Sequence, residues 1–82
     1  MKIEVLGTSC TLCRTLFGNA LEALRESGKK GRVVLVEDIR KIMKYRHLAA
    51  PVLIINGVVI FSGRLVSPEE ISAMMKSLSS ML

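Results

Sequence analysis

The chain has few aromatic residues, cysteines and prolines, and it has no long apolar run. It contains no tryptophan and only three aromatic residues, Phe17, Tyr45 and Phe61, too few for a surface on which bases stack, so we expect no nucleic-acid binding. No apolar stretch approaches the ~20 residues that span a bilayer, and no basic leader precedes the first strand, so we expect no membrane association and a cytoplasmic location. Two cysteines are also too few for the disulfide framework of a small secreted domain.

The remaining composition is typical of one small globular unit. Of the 82 residues, 50% are hydrophobic and 23% are charged, which favours a single domain over residues 1–82. The formal net charge of +5 favours encounters with acidic partners. The charges are dispersed, and the densest basic cluster, Lys29, Lys30 and Arg32, lies in a glycine-containing loop. We expect a monomer.

The two cysteines, Cys10 and Cys13, lie three residues apart where a short apolar strand meets an amphipathic helix. Residues at this spacing share one side of a helix, so the sulfurs can meet. The first helical turn has unpaired N–H groups and a positive partial charge, which stabilise a thiolate. We expect Cys10 to be the more acidic thiol, with a pKa lowered from about 8.5 toward roughly 3.5–7.5. In a reducing compartment such a pair is reactive or binds a metal more often than it forms a structural disulfide.

Periodicity and turn residues predict an α/β order, βαβαββα. Strands are expected at 2–6, 32–36, 52–55 and 58–61, and helices after Ser9, Asp38 and Ser67. The first two strands flank a helix and should be parallel. Asn56-Gly57 is the strongest short signal for a two-residue hairpin turn, so the last two strands should be antiparallel.

The same pattern predicts which side chains are buried. The first helix, of three to four turns, should bury one apolar stripe, whereas in the second helix Ile39, Ile42 and Met43 should point inward. In the third helix Ser67 and Glu70 should form a capping box, with Val66 and Ile71 as a hydrophobic staple. The stripes of the first and third helices comprise Leu12, Leu16, Phe17, Ala20, Leu21 and Leu24, and Ile71, Met74, Met75, Leu78 and Leu82.

With a CxxC after the first strand and a proline opening the third, the sequence resembles the thioredoxin fold. Within that fold it is similar to the small thioredoxin- or glutaredoxin-like redox-active disulfide proteins. The matching motifs are Val5-Leu6-Gly7-Thr8-Ser9-Cys10-Thr11-Leu12-Cys13, Ala50-Pro51, Asn56-Gly57 and Gly63, and the resemblance covers essentially the whole chain. It implies a minimal thioredoxin-like fold in which a four-stranded mixed sheet is flanked by three helices.

The resemblance also implies a thiol-disulfide oxidoreductase that exchanges or reduces disulfides of protein partners. Cys10 would attack as the thiolate and Cys13 would resolve the mixed disulfide. The Cys10-Cys13 disulfide would be the redox group, with no other cofactor and no metal, and an unidentified reductase would supply electrons. Pro51 would follow a cis peptide bond. Ala50, Pro51, Thr11 and Leu12 would contact substrate.

Three further residues are candidate modulators of the thiols. Glu4 lies six residues before Cys10, where thioredoxins place a buried acid, although a strand carboxylate paired with a lysine is the commoner arrangement. Arg14 can stabilise a thiolate, or remain solvated on its helix. His47 precedes the proline loop and can act as a base, or lie on the surface.

Two other functions stay open. Thiolates also bind Cu(I), and small copper chaperones place a CxxC before a helix, although their order is βαββαβ and they have a methionine that Gly7-Thr8-Ser9-Cys10 lacks. A structural zinc site needs four ligands, which only two chains pooling thiols could supply. The module can also be a thioredoxin-fold docking platform without catalysis.

Overall fold

A computed structural model describes residues 1–7 and 11–80 of the chain. Its order confirms the predicted βαβαββα arrangement and an α/β thioredoxin-like fold. Among the described residues, no helix has both the length and the apolar character needed to cross a membrane. The elements are β1 Lys2–Leu6, α1 Thr11–Ser27, β2 Arg32–Val36, α2 Ile39–Lys44, β3 Val52–Ile55, β4 Val58–Ser62 and α3 Pro68–Ser80.

The four strands form one mixed sheet in the order β2-β1-β3-β4. β1 pairs in parallel with β2, whereas β1 with β3 and β3 with β4 are antiparallel. All four residues of β3 are buried, as expected for a strand covered on both faces. The carboxyl ends of β1 and β2 and the amino end of β3 therefore meet at one edge of the sheet.

The hairpin between β3 and β4 follows the sequence prediction. Asn56 and Gly57 have φ values of 50° and 82°, the left-handed conformation that a type I′ turn requires at both positions. The Asn56 side chain also accepts a hydrogen bond from the Lys2 N–H at 2.9 Å, and the Asn56 N–H donates to the Lys2 carbonyl at 2.8 Å. The turn residue thus attaches the hairpin to the start of β1.

The helices lie in two layers. α1 packs against α3 on the face of the sheet formed by alternate residues such as Ile3 and Val5. α2 covers the other face, where Ile42, Tyr45 and Leu48 pack on a smaller cluster formed by Leu6, Val36, Val52 and Ile54. The main core consists of Ile3, Val5, Cys13, Leu16, Ala20, Ala23, Leu24, Leu53, Ile55, Val66, Ile71 and Met75.

The predicted helix faces need correction in α1 and α2. α1 has 17 residues, more than the three to four turns expected, and Leu12 and Leu21 are exposed. In α2 the prediction that Ile39 and Met43 point inward is wrong, since both are exposed. The reason is that the six-residue helix covers a small apolar area, which Ile42 fills together with residues that follow the helix.

The start of α3 matches the predicted cap only in part. The Ser67 hydroxyl accepts a hydrogen bond from the Glu70 N–H at 3.2 Å, and Val66 and Ile71 are both buried in the core. The Glu70 carboxylate, however, accepts from Arg64 at 3.3 Å and does not close the capping box. The expected stripe of α3 includes buried Met75, whereas Leu82 lies outside the described residues.

Candidate active site

The predicted site residues gather at the edge of the sheet where β1 ends. Gly7 follows β1, and its N–H donates to the Val36 carbonyl at the end of β2 at 3.2 Å. Cys13 is the third residue of α1, which begins at Thr11. Cys10, together with Thr8 and Ser9, lies outside the described residues. The geometry of the site is therefore given by Cys13 and the loops around it.

Cys13 is buried, with 1% of its surface exposed, and belongs to the main core. Its sulfur lies against Gly7, so closely that a Cβ added to Gly7 would overlap the Cys13 Sγ. A side chain at position 7 cannot coexist with the sulfur in this position. Gly7 therefore provides the space in which the second thiol of the CxxC sits.

The proline loop reaches the same place from β3. The Ala50–Pro51 peptide bond is cis, Pro51 is buried and Ala50 is exposed. Leu6 pairs with Val52 in the β1–β3 register, and Gly7 and Pro51 are the residues that adjoin this last pair at the end of the two strands. Neighbouring antiparallel residues lie about 4.5–5.5 Å apart. Gly7 thus adjoins both the Cys13 sulfur and the proline loop.

A second loop, between β4 and α3, supports the proline loop. The Gly63 N–H donates to the Pro51 carbonyl at 2.9 Å. A Cβ on Gly63 would lie 3.0 Å from the Ala49 Cβ, and its φ is +77°, a conformation that glycine adopts readily and other residues rarely do. Gly63 therefore allows the two loops to pack closely.

The rim of this edge combines exposed apolar and polar groups. Thr11 and Ala50 are exposed, and Leu12 and Leu65 are 46% and 41% exposed. Leu12 belongs to the CxxC segment, whereas Leu65 lies in the loop that supports Pro51. The predicted substrate-contacting residues Thr11, Leu12 and Ala50 are thus accessible to a partner, and Pro51 is not.

Glu4 lies on the opposite face of the sheet from Cys13. Its carboxylate pairs with Lys41 of α2 at 3.2 Å, and its side chain is 13% exposed. The pair borders a cavity of about 100 Å³ that Glu4, Leu6, Lys41, Lys44, Tyr45 and Ile54 line. Because Glu4 alternates with the strand residues that face Cys13, the sheet separates the two groups. Glu4 therefore has the lysine-paired arrangement that is commoner for a strand carboxylate.

The other two candidate modulators are on the surface. Arg14 is exposed on α1, and His47 is exposed in the turn that follows α2. Neither belongs to the apolar clusters that surround Cys13 and the end of β1. The structure thus brings Cys13, Gly7 and the proline loop together, and leaves Arg14 and His47 at the solvent boundary.

Metal ligands are sparse in the part of the chain that the structure describes. Residues 1–7 and 11–80 contain no group of three or more His, Cys, Asp or Glu side chains placed to hold an ion. The order of elements in the described residues, βαβαββα, also differs from the βαββαβ order of copper chaperones. The topology therefore differs from that of the copper chaperones, the protein class that suggested Cu(I) binding.

Sequence reasoning missed three residues that position the site. In the sequence, Gly7 and Gly63 stood out only as parts of the matching motifs, whereas in the structure both permit close packing. Asn19 of α1 donates from Nδ2 to the Val66 carbonyl at 2.9 Å, and so ties the active-site helix to the loop before α3. A glycine three residues before a CxxC, at the end of an apolar strand, is the one signal that could have indicated a space for a sulfur.

Comparison with known proteins gives consistent matches over most of the chain. A family model described as a thioredoxin domain matches residues 1–76. A thioredoxin of Methanothermobacter thermautotrophicus is 35% identical over 71 residues, which cover 87% of this chain and 92% of that protein. A thioredoxin of Methanocaldococcus jannaschii is 31% identical over 75 residues, covering 92% and 86% respectively.

A solved structure supports the fold independently. A chain described as the structure of a malarial protein matches with a TM-score of 0.66, and the match covers 93% of each chain. Its sequence identity is 16%, so this match concerns the fold alone.

Proposed function

The chain belongs to the thioredoxin domain family and acts as a thiol-disulfide oxidoreductase, and we propose that its Cys10 and Cys13 exchange disulfides with protein partners. The observation that carries this proposal is the buried Cys13 sulfur against Gly7, next to the proline loop. A thiol in this position is inaccessible to a large substrate. It can act only on a disulfide already formed nearby, which is the role of a resolving thiol.

The proposed reaction has two exchange steps. The Cys10 thiolate attacks one sulfur of the substrate disulfide, forms a mixed disulfide and releases the other substrate sulfur as a thiolate. Cys13 then loses its proton and attacks Cys10, which forms the Cys10–Cys13 disulfide and releases the second substrate thiolate. Two electrons pass from Cys10 and Cys13 to the substrate, whose two thiolates take up the Cys13 proton and one from water, and a reductase or small dithiol restores the starting state.

The surroundings are suited to each step. The start of α1 supplies N–H groups and a positive partial charge that stabilise a thiolate at Cys10. The exposed Ala50 backbone can pair with an extended substrate segment, as in recognition by strand addition. Leu12 and Leu65 offer apolar contacts on either side. We propose that the protein acts as a monomer in the cytoplasm, where one CxxC remains reduced between turnovers.

Turnover of a protein disulfide tests this function. Insulin and dithiothreitol are incubated with the wild type, with Cys10→Ser and with Cys13→Ser, and the appearance of reduced chains is followed by their precipitation. We expect catalysis by the wild type and loss to the background rate in Cys10→Ser. A wild type with no turnover would instead favour the docking platform, and if it also binds one Cu(I) per chain, the metal-binding alternative.

A further inference from the structure

The outward face of α2 is a surface that the core does not use. All of its six residues except Ile42 are exposed. Lys41 pairs with Glu4, which leaves Ile39, Arg40, Met43 and Lys44, and of these Ile39 and Met43 are 68% and 53% exposed. Residues four apart are neighbours on a helix, so Ile39 lies beside Met43 and Arg40 beside Lys44. We call these four residues the α2 surface. It has an apolar half and a basic half, side by side.

Folding does not account for the apolar half. α2 is held to the sheet by Ile42, with Tyr45 and Leu48 from the turn that follows. Ile39 and Met43 belong to neither apolar cluster. Adjacent exposed apolar side chains with a polar border are typical of surfaces that contact another molecule. The α2 surface is therefore a candidate for an interface.

The charges next to these side chains indicate the sign of the partner. Among the described residues the ion pairs are Lys41–Glu4 and Arg64–Glu70, so Arg40 and Lys44 have no carboxylate within ion-pair distance. Asp38, the residue before α2, accepts from the Arg40 backbone N–H as the helix cap, and Lys44 borders the cavity that Glu4 and Lys41 also line. The outward face of α2 thus presents two uncompensated cations, which favour a partner with carboxylates.

The α2 surface lies close to the candidate active site. α2 follows the end of β2 at Val36, whose carbonyl accepts from the Gly7 N–H. The cluster beneath α2 contains Leu6, the residue before Gly7. α2 therefore connects the end of β2 to the proline loop at the same edge of the sheet, so a macromolecule whose disulfide reaches this edge lies near the α2 surface.

We propose that the α2 surface binds the protein partner of the exchange reaction through an apolar side chain flanked by carboxylates. This inference rests on the proposed function and names a second contact area for its substrate. A second copy of the chain is disfavoured because two basic surfaces repel one another, and the net charge of the chain is +5. A bilayer is disfavoured because a six-residue helix offers it only two apolar side chains.

Matched peptides test the proposal. Two peptides carry the same disulfide loop and an eight-residue tail of alternating leucine with either glutamate or lysine, a tail that extends more than ~20 Å. We expect kcat/KM for the acidic peptide to exceed that for the basic peptide about tenfold at 20 mM salt, the order that two exposed ion pairs supply. The preference should fall sharply at 500 mM salt.

Variants separate the α2 surface from net charge. Arg40→Glu/Lys44→Glu should abolish the preference, and Ile39→Ser/Met43→Ser should weaken it. The control Lys30→Glu/Arg32→Glu changes the net charge by the same amount at the other end of β2, where Arg32 pairs with Lys2, and should retain most of it. Reduction of the neutral hydroxyethyl disulfide should be unchanged in all three variants.

The possible failures are distinguishable. If the wild type reduces neither peptide nor hydroxyethyl disulfide, the proposed function fails. If it reduces both peptides equally, or if the two charge-reversal variants lose the preference equally, the α2 surface is not a docking site.

A cysteine-free, fluorescent acidic peptide gives a readout apart from catalysis, and its anisotropy should show binding that weakens about tenfold in Arg40→Glu/Lys44→Glu. Stronger binding to vesicles of anionic lipid than to this peptide would overturn the choice of a protein partner.

Discussion

Replacing Gly7 by alanine should place a methyl group where the Cys13 sulfur lies. Cys13 is 1% exposed and surrounded by core residues, so a shift of its sulfur would displace packed side chains. Inserting a methyl group into a packed core costs about 1–3 kcal/mol. Positive φ angles occur at Gly28, Gly57 and Gly63 among the described glycines, so the backbone at Gly7 is one that alanine can adopt. The loss of stability should therefore arise from the overlap alone.

A double-mutant cycle measures this overlap directly. Urea unfolding of the reduced proteins gives the free energy of unfolding for the wild type, Gly7→Ala, Cys13→Ala and the double variant. In Cys13→Ala the sulfur is absent. The Cβ added at position 7 then lies 3.2 Å from the Cβ of residue 13, a contact that a small shift relieves. We expect Gly7→Ala to cost about 1–3 kcal/mol in the wild type and much less in Cys13→Ala.

Gly18→Ala is the matched control for this cycle. Gly18 lies within α1, and a Cβ built there has no neighbouring atom within 4 Å. Alanine should therefore stabilise the protein by about 0.5–1 kcal/mol, because it favours the helix. Equal losses for Gly7→Ala with and without the Cys13 sulfur would refute the argument that Gly7 makes room for it.

Three other substitutions test the contacts that shape the fold and its loops. Asn56→Ala removes a side-chain hydrogen bond and places a non-glycine residue without a polar side chain at positive φ, so urea unfolding should show a loss of about 1–3 kcal/mol. Ser67→Ala removes the cap of α3 and should cost about 0.5–2 kcal/mol in thermal unfolding, whereas Ser77→Ala on the same helix should cost less than about 0.5 kcal/mol. Gly63→Ala should cost about 1–2 kcal/mol in urea unfolding, because Gly63 has a φ of +77° and an added Cβ would lie 3.0 Å from the Ala49 Cβ, and a neutral result would contradict both the strain and the close packing of the two loops.

The order of elements followed from the sequence because local signals agreed with the fold. Asn56-Gly57 specifies a hairpin turn by its conformational preference alone, and Ser67-Pro68 specifies a helix start. The burial of α2 could not be derived in the same way. Ile39 and Ile42 have the same hydrophobicity, and only the small apolar area beneath the helix determines that Ile42 is buried and Ile39 is exposed.

The candidate site was predictable to a similar extent. The spacing of Cys10 and Cys13 indicated the chemistry, and Ala50-Pro51 indicated the loop that lies beside it. The role of Gly7 depends on a contact with a residue of the following helix, and periodicity carries no information about such a contact. The partner of Glu4 is likewise determined by α2, 37 residues further along the chain.

The most direct test of the exchange mechanism is to trap its intermediate. Cys13→Ser is incubated with a disulfide-bonded peptide, and the product is digested and mapped by mass spectrometry without reduction. The mechanism predicts a stable mixed disulfide that joins the peptide to Cys10 and that does not form in Cys10→Ser. If no adduct forms on Cys10 while the peptide disulfide is still reduced, Cys10 is not the attacking thiol and the mechanism is wrong.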